Sequence, residues 1–167
     1  ILKVSALTKS VQLDEKTLEL LQPVHLTVNS GETLAIVGSS GSGKTTLATN
    51  LASYFASQQN NVALVDYDPQ ASSLAWLNER SSARPPITGI AGYQRNAGRV
   101  KRQTDIVILD APAAVHGAEL TTLVRKAETI LIPVLPSPID MRAASNFIKE
   151  IKSCAPVAQK KAKIALI

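Results

Sequence analysis

The stretch Gly38-Ser39-Ser40-Gly41-Ser42-Gly43-Lys44-Thr45-Thr46 decides the fold of this chain. It fits the pattern G-x-x-x-x-G-K-[ST], in which glycines let the backbone wrap a polyphosphate closely and turn its N–H groups toward it. Lys44 is predicted to be a catalytic cation on the β- and γ-phosphates, and the Thr45 hydroxyl to bind Mg²⁺. The residues predicted to bind the nucleotide are Gly38, Ser40, Gly41, Ser42, Gly43, Lys44, Thr45 and Thr46.

The flanking sequence predicts a strand, this loop and a helix in that order. Residues 33–37 are apolar, and Leu47, Leu51 and Phe55 recur at helical spacing after the loop. The positive end of that helix dipole would face a bound anion. A Gly/Ser-rich turn that matches by accident would not need these flanks, so we interpret the stretch as a phosphate-binding loop.

Length and composition favour one domain over residues 1–167. The chain has 167 residues, 45% of them hydrophobic, which is enough for a sizeable core. Its single cysteine, Cys154, excludes an internal disulfide, is expected to be a small core residue, and favours a reducing, cytoplasmic setting. No signal peptide or membrane-length apolar run is recognisable, so we expect no membrane partner. Because the chain begins with Ile1 rather than Met, we expect its numbering to start inside a longer or engineered sequence.

Charge is unevenly distributed along the chain. Residues 1–79 carry 4 basic and 7 acidic side chains, whereas residues 80–167 carry 14 and 6. A basic half favours nucleic acid, but the charges are scattered except at Arg95, Arg99, Lys101 and Arg102. We therefore prefer a solvated basic face.

Apolar runs and helical patterns alternate after the loop. We predict strands at 61–66, 105–110, 129–134 and 163–167, and helices at 72–79, 117–126 and 141–152. This order predicts an α/β, doubly wound and mostly parallel sheet. Strands at 1–7 and 24–28 predict an N-terminal antiparallel pair, while 14–22 is expected to be a loop or irregular edge and 80–104 a loop.

Three carboxylates follow predicted strands. Asp66 and Asp68 come at the end of one, and Asp110 at the end of another. In an open α/β sheet, ligands bind at the carboxyl ends of the strands. Asp110 has the layout of a Walker B aspartate that holds Mg²⁺; an aspartate that merely opens a turn is the alternative.

The first quarter resembles an ABC transporter ATPase domain, on the sequence "LKVSALTKSV…LELLQPVHLTVNSGETLAIVGSSGSGKTTL", residues 1 to about 47. The resemblance implies a small antiparallel sheet beside the nucleotide, and an aromatic residue stacked on adenine where this chain has Val11. The LSGGQ signature, the glutamine loop and the switch histidine of that family are not recognisable, and Ala111 stands where its catalytic glutamate would. Transport is therefore not expected, and His25 and His116 are interpreted as ordinary surface or packing residues.

Residues from about 43 to 167 resemble ParA/MinD-type partition ATPases. The segments "GKTTLATNLASYFASQQNNVALVDYDPQASSLAWL", "DIVILDAPA" and "ILIPVLPSPIDMRAA" occur in the order of that family. The resemblance implies that Asp68 positions or activates the attacking water, that Asp66 and Asp110 serve Mg²⁺, and that Thr45 binds the metal directly. The family's signature lysine is replaced by Ser39, and the chain ends at Ile167 where the family continues into base-contacting and DNA-binding segments.

We therefore interpret the chain as an engineered P-loop NTPase chimera, with residues 1–42 ABC-like and 43–167 ParA-like; a divergent natural ATPase is the alternative. We expect it to bind ATP with Mg²⁺ and to hydrolyse it weakly or not at all, as a monomer or weak homodimer with little support for DNA binding. Two other functions stay open: a DNA-partition ATPase acting as a dimer, and a folding scaffold whose loop holds phosphate without a nucleotide function.

Overall fold

The computed structural model describes residues 2–13, 16–113 and 115–167, with side chains described at residues 3–8 and from His25 onward, apart from position 114. Its elements, in chain order, are β1 Leu2–Leu13, β2 Lys16–Val28, β3 Thr33–Ile36, α1 Lys44–Ser57, β4 Val62–Asp66, α2 Ser72–Asn78, β5 Ile87–Ala91, β6 Ile106–Asp110, α3 Gly117–Val124, β7 Thr129–Ile132, α4 Pro138–Ser153, α5 Ala155–Ala158 and β8 Lys163–Leu166. None of the helices in these ranges is long and apolar enough to cross a bilayer.

Six parallel strands form the main sheet, in the order β5-β4-β6-β3-β7-β8. Alternate side chains of β3 enter two separate cores. Leu34 and Ile36 pack with the α1 side chains on one face, and Ala35 packs with the α3 side chains, including Leu120, on the other. Burial on both faces explains why these strands are continuously apolar. The predicted doubly wound fold is confirmed, and the loop after β3 lies at the carboxyl edge of the sheet.

The N-terminal pair is a separate two-stranded antiparallel sheet, as predicted. It rests on α1, because Val4 and Val28 belong to the α1 core and the Tyr54 hydroxyl donates a 2.9 Å hydrogen bond to the carbonyl of Lys3. Of the two predictions for 14–22, the loop is wrong for residues 16–22, which are part of β2, whereas the irregular edge agrees with the register shift between the pairs Lys9–Leu21 and Ser10–Glu19 of this two-stranded sheet. Residues 16–22 do not alternate regularly between apolar and polar side chains, but backbone hydrogen bonds to β1 pair them as a strand without that pattern. Val11, the residue predicted to stand where ABC transporter ATPases have an aromatic residue stacked on adenine, is not among the side chains that the structure describes.

The predicted loop at 80–104 also contains a strand, β5, at the edge of the main sheet. The strand was not predicted because the prolines just before it and Gly89 within it are typical of a loop. Gly89 is needed there because a Cβ would lie 2.7 Å from a methyl group of Leu77 and 2.9 Å from one of Leu74, both on α2. The short helix α5 was not predicted either. Cys154, next to it, is buried and unpaired as expected.

Candidate functional site

The loop 38–46 joins β3 to α1 and keeps the start of that helix open. Gly43 precedes the helix with φ 88°, in the left-handed region that favours glycine. No side chain caps α1, and no acidic residue lies in its first turn. The amide groups of that turn, which have no partner within the helix, therefore remain available to an anion.

Lys44 lies within the loop and is held by a main-chain carbonyl. Its Nζ donates a 2.8 Å hydrogen bond to the carbonyl of Ser39, which also accepts the Ser42 hydroxyl at 2.9 Å. The side chain is buried, and burial lowers the pKa of the Lys44 ammonium, whereas the charges of Asp110 and Asp68 raise it. Lys44 forms no ion pair within the described part of the chain. Its charge is thus set inside the loop without a protein counter-ion in direct contact.

Asp110, at the end of β6, lies against the first turn of α1. Its Oδ2 accepts a 2.9 Å hydrogen bond from the Thr45 hydroxyl, while its Oδ1 is buried and has no hydrogen-bond partner. Burial raises the pKa of Asp110 to about 6, and the charge of Asp66 adds to that rise, whereas the Thr45 hydrogen bond, the Ser73 hydroxyl and Lys44 oppose it. A buried oxygen without a partner is costly and is itself an available ligand atom.

This donor set fits Mg²⁺, which takes oxygen ligands and is usually held by one or two carboxylates together with waters and phosphate oxygens. Thr45 and Asp110 present a hydroxyl and a carboxylate at one point. Across the described residues there is no cluster of three or more His, Cys, Asp or Glu side chains arranged for a metal. A cation there would therefore complete its coordination with water or ligand oxygens.

Asp66 lies directly across from Asp110, because β4 and β6 pair in that register. It is fully buried, and both of its oxygens are engaged by the protein. Oδ1 accepts the backbone N–H of Asp68 at 2.9 Å; Oδ2 accepts the Ser73 hydroxyl at 2.7 Å, the Ser73 N–H at 3.1 Å and the Leu74 N–H at 3.3 Å. The structure thus brings Asp66 into the site but gives it partners other than a metal.

Asp68 and Ser73 complete the carboxylate side of the site. Asp68 is half-buried, and its Oδ1 accepts the N–H of Gln70 at 2.9 Å. The charge of Asp68 acts with that of Asp110 to raise the pKa of Lys44 against the larger lowering effect of burial. Ser73 is completely buried, and sequence reasoning did not single it out. The signal available in the sequence was a hydroxyl seven residues after Asp66, at the start of the next predicted helix.

A pocket of about 340 Å³ borders the loop on the α4 side. Ser39, Ser40 and Asp140 contribute polar groups to its wall, and Pro133 and Phe147 contribute apolar ones. The exposed His116 also lines the pocket; it pairs with Glu150, at 2.8 Å between Nδ1 and Oε2, and packs edge-on against the Phe147 ring. His116 is therefore a surface and packing residue, as expected.

Comparison with known proteins finds relatives in both of the families that the sequence resembles. The family model of the CobQ/CobB/MinD/ParA nucleotide binding domain matches residues 34–164. The maintenance of carboxysome distribution protein A of Halothiobacillus neapolitanus is 33% identical over 145 residues, covering 83% of this chain and 66% of that protein. The lipoprotein-releasing system ATP-binding protein LolD of Alcanivorax borkumensis is 38% identical over 84 residues, covering 50% of this chain and 35% of that protein.

The fold also matches solved structures. A cobyrinic acid a,c-diamide synthase from Mycobacterium smegmatis, solved with bound ADP and magnesium, superposes with a TM-score of 0.63 at 18% identity over 81% of this chain and 73% of the other. At that identity the likeness concerns the fold alone. The chain spans just under two thirds of the length of the carboxysome protein and about a third of the length of LolD.

Proposed function

Because the chain belongs to the CobQ/CobB/MinD/ParA nucleotide-binding family, we propose that it binds ATP together with Mg²⁺ at the loop 38–46 and hydrolyses it slowly or not at all. The observation that carries the proposal is the buried, unpartnered Oδ1 of Asp110 beside the Thr45 hydroxyl. A cation at this point would remove an uncompensated buried charge, and a phosphate on the loop would complete its coordination.

The loop residues have distinct roles in this proposal. Backbone groups of the loop and of the first turn of α1 bind the phosphates, through Gly38, Ser40, Gly41, Ser42, Gly43 and Thr46. Lys44 exchanges the Ser39 carbonyl for phosphate oxygens and neutralises their charge, while Thr45 and Asp110 hold Mg²⁺. Bound Mg²⁺ would withdraw charge from the phosphates.

Asp68 is the residue we assign to the attacking water. It is close enough to Lys44 to influence the pKa of that lysine, and it lies half-buried at the carboxyl edge of the sheet. One carboxylate oxygen is engaged by Gln70, which leaves the second to orient a water. Asp66, the third predicted metal residue, is not assigned to the metal, because its oxygens accept hydrogen bonds from Asp68, Ser73 and Leu74.

Slow turnover follows from the charge at the loop. Lys44 is the cation that lies inside it, and Ser39 is an exposed serine where the resemblance to partition ATPases implies a second lysine. Phosphoryl transfer depends on neutralising charge that develops in the transition state, so a missing cation lowers the rate more than the affinity. The proposal includes a monomer or weak homodimer without a DNA requirement, since the resemblance to partition ATPases implies that the replaced lysine crosses to the nucleotide of a partner.

Calorimetric titration of ATP, GTP and free triphosphate, each with and without Mg²⁺, tests the proposal. We expect ATP to bind more tightly with Mg²⁺ than without it, and more tightly than triphosphate alone. Equal affinity for triphosphate and ATP would instead favour a scaffold that only holds phosphate. No binding of any of the three would contradict the site itself.

We also propose that the chain is a chimera joined between Gly38 and Leu47. Its support is that the transporter protein LolD matches half of this chain while the carboxysome protein matches 83% of it. The position of the junction rests on the sequence motifs. A natural genomic sequence that runs uninterrupted through this junction would contradict an engineered origin.

A further inference from the structure

We infer that Asp66 is a positioning residue that holds the Asp68 segment and the start of α2, with Ser73 as its partner, and that it is not a direct ligand of the metal. The effect of this role on the rate of hydrolysis rests on the proposed function. The effect on the hydrogen bonds of Asp68, Ser73 and Leu74 does not, and it can be tested without nucleotide.

The hydrogen bonds of Asp66 are concentrated on one of its two oxygens. An ionised carboxylate offers about two acceptor positions per oxygen; Oδ2 accepts three hydrogen bonds from Ser73 and Leu74, and Oδ1 accepts one from Asp68. All of the side chain is buried, so none of these bonds is exchanged with bulk water. Coordination of a cation through Oδ2 would require Asp66 to give up one of these bonds, and both oxygens are already oriented by the protein.

Asp110 occupies the paired position on the neighbouring strand but accepts fewer hydrogen bonds than Asp66. It lies across from Asp66 on the neighbouring strand, accepts one side-chain hydrogen bond from Thr45, and keeps Oδ1 free. Two adjacent buried carboxylates thus differ in what remains unsatisfied. The geometry assigns the metal to Asp110 and the protein scaffold to Asp66.

The bonds of Asp66 explain how α2 begins without a cap of its own. The residue at its N-cap position is Ala71, in a left-handed conformation with φ 53°, and it has no side-chain oxygen to offer. The Ser73 and Leu74 amides, which an N-cap side chain would ordinarily satisfy, donate to Asp66 instead. Asp66 therefore caps α2 from the end of β4.

The same carboxylate fixes the backbone of Asp68. Asp66 Oδ1 binds the Asp68 N–H, and the turn is closed by the Asp68 carbonyl, which accepts the Ala71 N–H at 2.8 Å. The Asp68 side chain is thereby tied to a rigid strand on one side and to a capped helix on the other. A displacement of a catalytic group by about 1 Å can lower a rate by about a hundredfold. Loss of Asp66 should therefore reduce the rate of hydrolysis without removing the metal.

Asp66→Asn tests the inference, because an amide has one acceptor oxygen and cannot serve both the Asp68 N–H and the donors of Ser73 and Leu74. In nucleotide-free protein we expect faster hydrogen exchange within this set of three amides, either at Asp68 or at Ser73 and Leu74, according to which side the NH2 group faces. We expect the gain in ATP affinity from Mg²⁺ to stay within about twofold of the parent, while single-turnover hydrolysis falls on the order of tenfold or more. Asp110→Asn is the crossed control, since it should reduce the Mg²⁺ gain and leave exchange at those three amides unchanged.

Ser73 supplies a second route if Asp66→Asn does not fold. Ser73→Ala removes the hydroxyl donor, and we expect it to shift exchange and single-turnover rate in the same direction by a smaller factor. Ser73→Thr keeps the hydroxyl, so amide exchange and the single-turnover rate should both stay near the values of the parent.

Loss of the Mg²⁺ gain in Asp66→Asn, with unchanged exchange at the three amides, would overturn the inference and make Asp66 a metal ligand. If the parent binds no ATP with Mg²⁺, the proposed function fails, while the exchange measurements still decide the role of Asp66.

Discussion

The Thr45 hydroxyl and Asp110 Oδ2 are joined by a 2.9 Å hydrogen bond between residues 65 positions apart in the chain. The bond links the first turn of α1 to the end of β6, because β3 and β6 are neighbours in the sheet and both end at the same edge. It uses one carboxylate oxygen and leaves the other buried without a partner. The proposed placement of Mg²⁺ between loop and sheet rests on this contact.

Asp110→Asn should reduce the benefit of Mg²⁺ more than it reduces affinity for bare ATP. The amide replaces a buried anionic oxygen by a neutral group, so a cation loses its charged ligand while the phosphate-binding loop stays intact. Titration of ATP with and without Mg²⁺ in parent and variant measures the difference. An unchanged Mg²⁺ dependence would refute the assignment of Asp110.

The raised pKa of Asp110 predicts how stability changes with pH in protein free of metal and nucleotide. The pKa is raised from 3.8 to about 6, so between these values the unfolded chain has lost the proton that the folded chain keeps. The contribution of Asp110 therefore destabilises the fold progressively as pH rises from about 4 to about 6, and is constant above that, at up to about 3 kcal/mol.

Asp110→Asn isolates that contribution from the other titrating groups. Relative to the parent, the variant should gain stability between pH 4 and pH 7, by at most about 3 kcal/mol. Denaturant unfolding of both proteins across this range gives the difference directly. A difference in unfolding free energy that is the same at both ends of the range would show that Asp110 titrates normally.

Several elements could be predicted from sequence because local patterns agree with the final fold. The apolar runs that became β4, β6 and β7 are buried on both faces, and the loop pattern marks the start of α1. β5 could not be predicted, because an edge strand with Gly89 at its centre has a weak local signal. Its place depends on the close packing of α2, which is a tertiary contact.

The site shows the same limit. Lys44 and Thr45 can be proposed as site residues from the spacing of the loop motif, and Asp110 from the apolar run before it. The partner of Asp66 cannot be predicted in this way: Ser73 becomes its neighbour only through the left-handed turn at Ala71. The sequence around a carboxylate at the end of a strand does not indicate how many hydrogen bonds the protein will donate to it.

Lys44→Ala should weaken ATP binding at least roughly tenfold, or about 1.4 kcal/mol. The ammonium group is the cation held within the loop, and a methyl group neither attracts phosphate nor binds the Ser39 carbonyl. Lys161→Ala is the matched control for loss of one positive charge far from the loop, because Lys161 is exposed and lies beside residues 29–32, at the start of β3 rather than at its end. Equal affinity in Lys44→Ala and the parent would remove the phosphate-binding interpretation.

Ser39→Lys tests why turnover should be slow. Ser39 contributes its carbonyl to the loop, where it accepts Lys44 and Ser42, while the residue itself is exposed. A lysine there keeps those backbone contacts and adds the cation that the resemblance to partition ATPases implies.

We expect the parent to hydrolyse ATP at a low rate that rises neither with protein concentration nor with added DNA. In Ser39→Lys the rate should rise and become concentration-dependent, since a well-placed cation near developing phosphate charge contributes up to roughly a thousandfold. Ser39→Gln adds comparable length without the charge and should stay at the parent's rate. Because charge alone does not build a dimer surface, we expect only partial rescue; fast, DNA-stimulated turnover by the unmodified chain would instead restore the partition ATPase interpretation.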